Sequence, residues 1–147
     1  LDEARGKIET ALNSGAAADY FQRMTAALGG PSDILIKPQN YVPQAPVIRP
    51  LVAPRAGFVS AMETREIGMS LVVLGGARMR PQDAIDYAVG LTDITSLGTK
   101  IHAGDPLALI HARDEASADE VMQRLLRAIT IRDEAPQIAP LIKARLF

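Results

Sequence analysis

Two histidines, His102 and His111, stand nine residues apart on either side of a Gly104-Asp105-Pro106 turn, so a hairpin could bring their rings together. With Asp105 or Asp114 they would offer nitrogen and oxygen donors to a metal. A catalytic zinc site needs three protein ligands and a structural one four, and no further ligand occurs at a matching spacing. Structural roles are expected for both histidines, and no metal is assigned. The loop Gly75-Gly76-Ala77-Arg78-Met79-Arg80 combines permissive backbone with two guanidinium groups, which are residue types that hold phosphate. Phosphate cradles form at helix N-termini, where free N–H groups and the helix dipole favour an anion, whereas these glycines follow a helix. The loop is therefore expected to be a helix C-cap running into a surface loop. Its candidate function is to close over a neighbouring cleft through Gly75, Gly76, Ala77, Arg78 and Arg80. Carboxylates at Asp83, Asp86, Asp93, Asp105, Asp114, Glu115, Asp119 and Glu120 fall mostly at turns and helix starts, where capping and solvation explain them. Ser60, Ser70 and Ser96 lack a Gly-x-Ser-x-Gly setting, and neither histidine has a triad nucleophile nearby. No residue is assigned a catalytic or substrate-binding role.

The chain has 147 residues, 48% of them hydrophobic, which matches one ordinary globular domain able to bury roughly 70% of its unfolded surface. A net charge of −1, from 16 basic and 17 acidic residues, leaves no footprint for nucleic acid or an anionic membrane, and neither partner is expected. There is no cysteine, so disulfides and thiolate metal sites are excluded, in keeping with a cytoplasmic location. No apolar run approaches the roughly 20 residues that span a bilayer. The chain begins at Leu1, inside what reads as the body of a helix, and is expected to be a piece of a longer protein.

The elements that must position these residues follow from period and punctuation. Asp2 is expected to cap a first helix carrying Ala4, Ile8, Ala11 and Leu12 on one face, with Gly15 past its end. Ser14 is expected to cap a second, striped by Ala17, Tyr20, Phe21, Met24 and Leu28 and stopped by Gly29-Gly30-Pro31. Closely spaced prolines from Pro31 to Pro54 predict an extended, semi-rigid connection lying along a surface. Strands are expected at Leu51-Val52-Ala53, at Gly57 to Met62, at Tyr87 to Leu91 and over Leu107 to Ile110. A helix capped by Thr64 should end at Gly75 in the left-handed C′ position. Ser117-Ala118-Asp119-Glu120 reads as a capping box for a last long helix lined by Val121, Met122, Leu125, Leu126 and Ile129. Thr130-Ile131 then leads into a last strand or turn, and Ile138, Leu141, Ile142, Leu146 and Phe147 into an edge strand or docked coil.

The turn pattern Gly98-Thr99-Lys100-Ile101-His102-Ala103-Gly104-Asp105-Pro106-Leu107 is similar to the half-barrel hairpins of biotinyl and lipoyl carrier domains. Such domains carry their modified lysine at an exposed hairpin tip, and neither Lys100, Lys37 nor Lys143 has that setting. A barrel-sandwich core is expected without the carrier role, and a non-enzymatic binding or carrier-like module is the alternative. A self-contained enzyme built around His102, His111 and the Gly75 loop is a third reading.

Three Gly-marked blocks in order, GFVSAMETREIGMSLVVLGGARM, DAIDYAVGLTDI and LGTKIHAGDPLALIHA, resemble the C-terminal domain of thymidine phosphorylase and related pyrimidine-nucleoside phosphorylases. The preceding ALNSGAAADYFQRMTAALGGPSD looks like the family's stretch leading from its central α/β domain. The resemblance implies an α+β fold, a barrel-sandwich-like antiparallel β core with packed helices, preceded by an N-terminal helical hairpin from the adjoining α/β domain. It divides the chain into a helical end at 1–30, a Pro-rich structured connection at 31–50 and a C-terminal domain at 51–147. It also implies a dimeric glycosyltransferase that cleaves thymidine or pyrimidine nucleosides with inorganic phosphate to free base and (2-deoxy)ribose 1-phosphate, without a cofactor. The family's phosphate- and base-binding residues, and most of its dimer contact, lie on segments N-terminal to this sequence. The resemblance thus implies a scaffolding and cleft-closing domain that is inactive alone.

Overall fold

A computed structural model describes residues 2–140 together with Ile142 and Ala144. The chain divides into two compact units, Leu1–Pro43 and Gln44–Phe147.

In the first unit, helix α1 (Asp2–Asn13) turns through Ser14-Gly15 into helix α2 (Ala16–Ala27). The expected hairpin is present, with one change at its corner. Gly15 takes the N-cap position of α2 with φ 81°, and no side chain caps it. Past α2, Gly29 is left-handed and the Gly30 N–H bonds the Thr25 carbonyl at 2.9 Å, as a Gly-Gly stop predicts. The segment after Pro31 is less extended than its prolines suggest. Pro38 opens a short 3-10 turn, Pro38–Asn40, a position where the missing proline N–H costs nothing. The Tyr41 hydroxyl closes this turn on the Asp33 carboxylate at 2.5 Å, which raises the phenol's pKa.

The second unit is α+β, with two antiparallel three-stranded sheets and two helices. One sheet orders β1 (Val47–Val52), β5 (Pro106–Ala112) and β3 (Gly90–Thr92) with β5 central. The other places β2 (Gly57–Met62) between β4 (Lys100–Ile101) and β6 (Ile129–Arg132). Among the described residues the strands do not close into a barrel. β1 starts earlier than expected and contains Pro50, because it is an edge strand, where a missing ladder donor is tolerated. The strand expected at Tyr87 to Leu91 begins only at Gly90.

Helices α3 (Thr64–Leu74) and α4 (Glu115–Ala128) pack on each other, and α4 also packs on β1 and β5. Thr64 lies inside α3, since Glu63 holds the N-cap position without a side-chain cap. Gly75 is left-handed at φ 86°, as expected. The capping box of α4 falls one turn earlier than Ser117 suggests. Asp114 is the N-cap, its carboxylate accepting from the Ser117 N–H at 2.7 Å while the Ser117 hydroxyl donates to the Asp114 carbonyl at 3.0 Å. Leu51, Val59, Leu107, Ile110, Val121 and Leu125 are fully buried and form the centre of one core shared by both sheets and α4. The last strand expected near Thr130-Ile131 is β6. In the tail, Ile138 lies over Gly98, but both it and Ile142 are largely exposed and residues 135–140 form no strand, while Leu141, Leu146 and Phe147 lie outside the described residues. No helix among the described residues is long and apolar enough to cross a membrane.

Candidate functional site

The loop from Gly75 to Val89 joins α3 to β3, and backbone geometry fixes where it starts. The Gly76 N–H bonds the Leu71 carbonyl at 2.8 Å and the Gly75 N–H bonds the Val72 carbonyl at 3.0 Å, the paired pattern of a Schellman stop. Further along, the Met79 and Arg80 N–H groups both donate to one Asp83 oxygen, at 3.1 and 2.8 Å. Those amides are thus occupied by the loop's own carboxylate. What the loop offers outward is side chains: Arg78, Met79 and Arg80 are all exposed, and neither arginine is in an ion pair among the described residues.

Asp86 ties the loop's far end back to the body. Its N–H bonds the Gly75 carbonyl at 2.9 Å and its carboxylate accepts from the Ala88 N–H at 3.0 Å. The same carboxylate receives two bonds from Arg113, one from Nε and one from Nη2 at 2.7 Å. The Arg113 fork, then the Ala88 amide, hold the Asp86 carboxyl below the usual carboxylate range, and the carboxylate in turn raises the Arg113 pKa. Sequence reasoning named Asp86 only as a turn residue and did not find Arg113. The two are 27 positions apart, and nothing in their local patterns signals the pairing.

The remaining candidates have structural partners. His102 sits beside Asp105, whose carboxylate accepts from the His102 N–H at 2.7 Å and lies 3.3 Å from its Nδ1. That amide bond, more than the ring, lowers the Asp105 pKa. The His111 ring, on β5, meets the Thr92 hydroxyl on β3 at 2.9 Å. The described residues contain no group of three or more His, Cys, Asp or Glu side chains able to hold a metal. Ser60 sits at the β2 bulge and donates to the Thr130 carbonyl, and buried Ser70 donates to the Glu66 carbonyl. Lys100 lies within β4, paired with Phe58 and not at a hairpin tip. Arg49 on β1 bonds both Glu115 and Asp119, at 2.9 and 2.6 Å, clamping α4 to the sheet edge.

The Asp114 cap yields a test of the linkage. The Ser117 amide, donating to the carboxylate, is the main cause that holds the Asp114 carboxyl below the ordinary value of 3.8. A carboxyl depressed in the folded state lends stability that is complete above its unfolded pKa and disappears as pH falls through its folded one. Asp114→Ala is therefore expected to lower the melting temperature by a few degrees at neutral pH, with the gap from the parent chain closing as the pH falls below the carboxyl's ordinary value of 3.8. Thermal melts of both chains across that range check it, and a gap that persists unchanged in acid would contradict the assignment.

The family model described as the pyrimidine nucleoside phosphorylase C-terminal domain matches residues 58–132, just over half of the chain. Those residues run from β2 to β6 and include the Gly75 loop, the Asp86–Arg113 fork, both helices of the second unit and both histidines. With this architecture and this match, the chain belongs to the pyrimidine nucleoside phosphorylase C-terminal domain family.

Proposed function

We propose that this chain scaffolds and closes the reactant cleft of an enzyme that phosphorolyses thymidine or pyrimidine nucleosides to free base and (2-deoxy)ribose 1-phosphate. The groups that bind phosphate and base lie, on this reading, on segments of the enzyme outside this chain, as does its dimer contact, and the enzyme works in the cytoplasm. Phosphorolysis requires the phosphate oxygen, and not water, to form the new bond to the sugar C1′ as the bond to the base nitrogen breaks. A domain that closes over the cleft and expels water favours that outcome without supplying a reacting group.

The observation that carries the proposal is the family match over 58–132, spanning a loop whose two arginines are exposed and unpaired among the described residues. The loop's free charge suits a surface that meets anionic reactants, while the Met79 and Arg80 amides are already taken by Asp83 and do not form a phosphate cradle. Gly75, Gly76, Ala77, Arg78 and Arg80 are accordingly the cleft-facing candidates. The test is phosphate-dependent base release by this chain alone, for which none above background is expected.

A further inference from the structure

The Asp86–Arg113 fork is built differently from the other ion pairs of the second unit. Arg113 follows the last residue of β5, the central strand of its sheet, and precedes Asp114, the N-cap of α4. Its backbone is therefore held on both sides by regular structure. Asp86 belongs to a loop of little regular structure and joins three parts of the molecule: the end of α3 through the Gly75 carbonyl, its own strand entry through Ala88, and β5 through Arg113. The fork is two parallel bonds, so it fixes orientation as well as distance, which a single-point ammonium does not. Asp86 is also the better shielded partner, with its side chain 22% exposed against 53% for Arg113. Between Gly76 and Asp86 the internal braces among the described residues all come from Asp83, its carboxylate on the Met79 and Arg80 amides and its N–H on the Arg80 carbonyl at 3.1 Å, which shape the loop tip without attaching it to the body.

We propose that Arg113 and Asp86 are positioning residues that hold the Gly75–Arg80 loop in its closing position, with Arg78 and Arg80 at the rim of the cleft in which other segments of the enzyme bind phosphate. The proposal rests on the cleft-closing reading above. Loss of the fork would remove the loop's side-chain tie to the end of β5 and leave its far end held by the Asp86 N–H on the Gly75 carbonyl and by the start of β3. The arginines would keep their charge but lose their place, and displacement of about 1 Å is enough to cost roughly a hundredfold in rate.

The test uses the intact phosphorylase that carries this domain and reads kcat, KM for inorganic phosphate, and melting temperature. Arg78→Ala combined with Arg80→Ala reports whether the loop acts at all. Arg113→Ala and Arg113→Lys remove the fork, the second while keeping the positive charge. The exchange Asp86→Arg with Arg113→Asp rebuilds the pair in reverse. The expected result is a fall in kcat/KM for phosphate of roughly tenfold to a hundredfold in the loop variant and in both Arg113 variants, with recovery in the exchange. Such recovery would not follow from a general loss of packing. If the loop variant is impaired while Arg113→Lys keeps full activity, or the exchange restores nothing, the positioning role is overturned and the cleft-facing loop stands. If the loop variant is fully active, the cleft-facing reading itself fails and takes the positioning role with it.

Discussion

Replacing Gly57 by alanine is expected to destabilise the second unit by about 2–6 kcal/mol, enough to unfold a marginally stable domain. Gly57 opens β2 with φ 150°, a backbone conformation that side chains rarely adopt, costing about 1–3 kcal/mol. A Cβ there would also lie 2.5 Å from the Arg132 carbonyl oxygen and 2.8 Å from Ile131 Cγ2, both on neighbouring β6. The carbonyl is backbone in a paired strand and cannot swing aside, so the clash adds about 1–3 kcal/mol more. Gly75 provides the control. It is left-handed at φ 86°, yet nothing lies within 4 Å of its Cβ position, so Gly75→Ala should cost only about 1–2 kcal/mol. Urea unfolding of both variants separates the two effects, and equal midpoints for the pair would contradict this account of Gly57.

Leu125→Ala is expected to be the other severe change, at about 2–5 kcal/mol. Leu125 is 1% exposed on the inner face of α4, where Ala118 and Val121 are also buried, and belongs to one core with Leu51, Leu107 and Ile110. Removing its branched end leaves a cavity that close-packed neighbours on two sheets cannot collapse to fill. One position away, Arg124 bonds Glu120 on the same helix in an exposed pair of the kind that contributes little. Arg124→Ala should therefore leave the midpoint nearly unmoved. Calorimetric melts of the two variants test the contrast, and similar shifts would refute the placement of the core on this face of α4.

The elements readable in the sequence were those with local punctuation. β2, the Gly75 stop of α3, β5 and β6 carry their own turn glycines, apolar runs or periodicity, and they form close to where those signals lie. Misreadings arose where a distant partner decided. β1 extends back through Pro50 because β5 offers it an edge position, and no local signal reveals that β1 is an edge. β3 starts late because the Asp86 carboxylate holds the Ala88 amide in a turn. In α4 two acid–serine patterns overlap, and Asp114 takes the cap one turn before Ser117 could. The candidate loop was legible from its glycines and arginines. Its fastening was not, since the Asp86–Arg113 fork and the approach of Arg132 to Gly57 are contacts between distant segments.

The central claim is that this domain shapes and closes a cleft while the reacting groups lie elsewhere. Its most direct test is to incubate the purified chain, confirmed folded by its cooperative melt, with thymidine and inorganic phosphate and to follow thymine release. The account predicts release no faster than in the protein-free control at any chain concentration. Phosphate-dependent release that rises in proportion to the chain would contradict it.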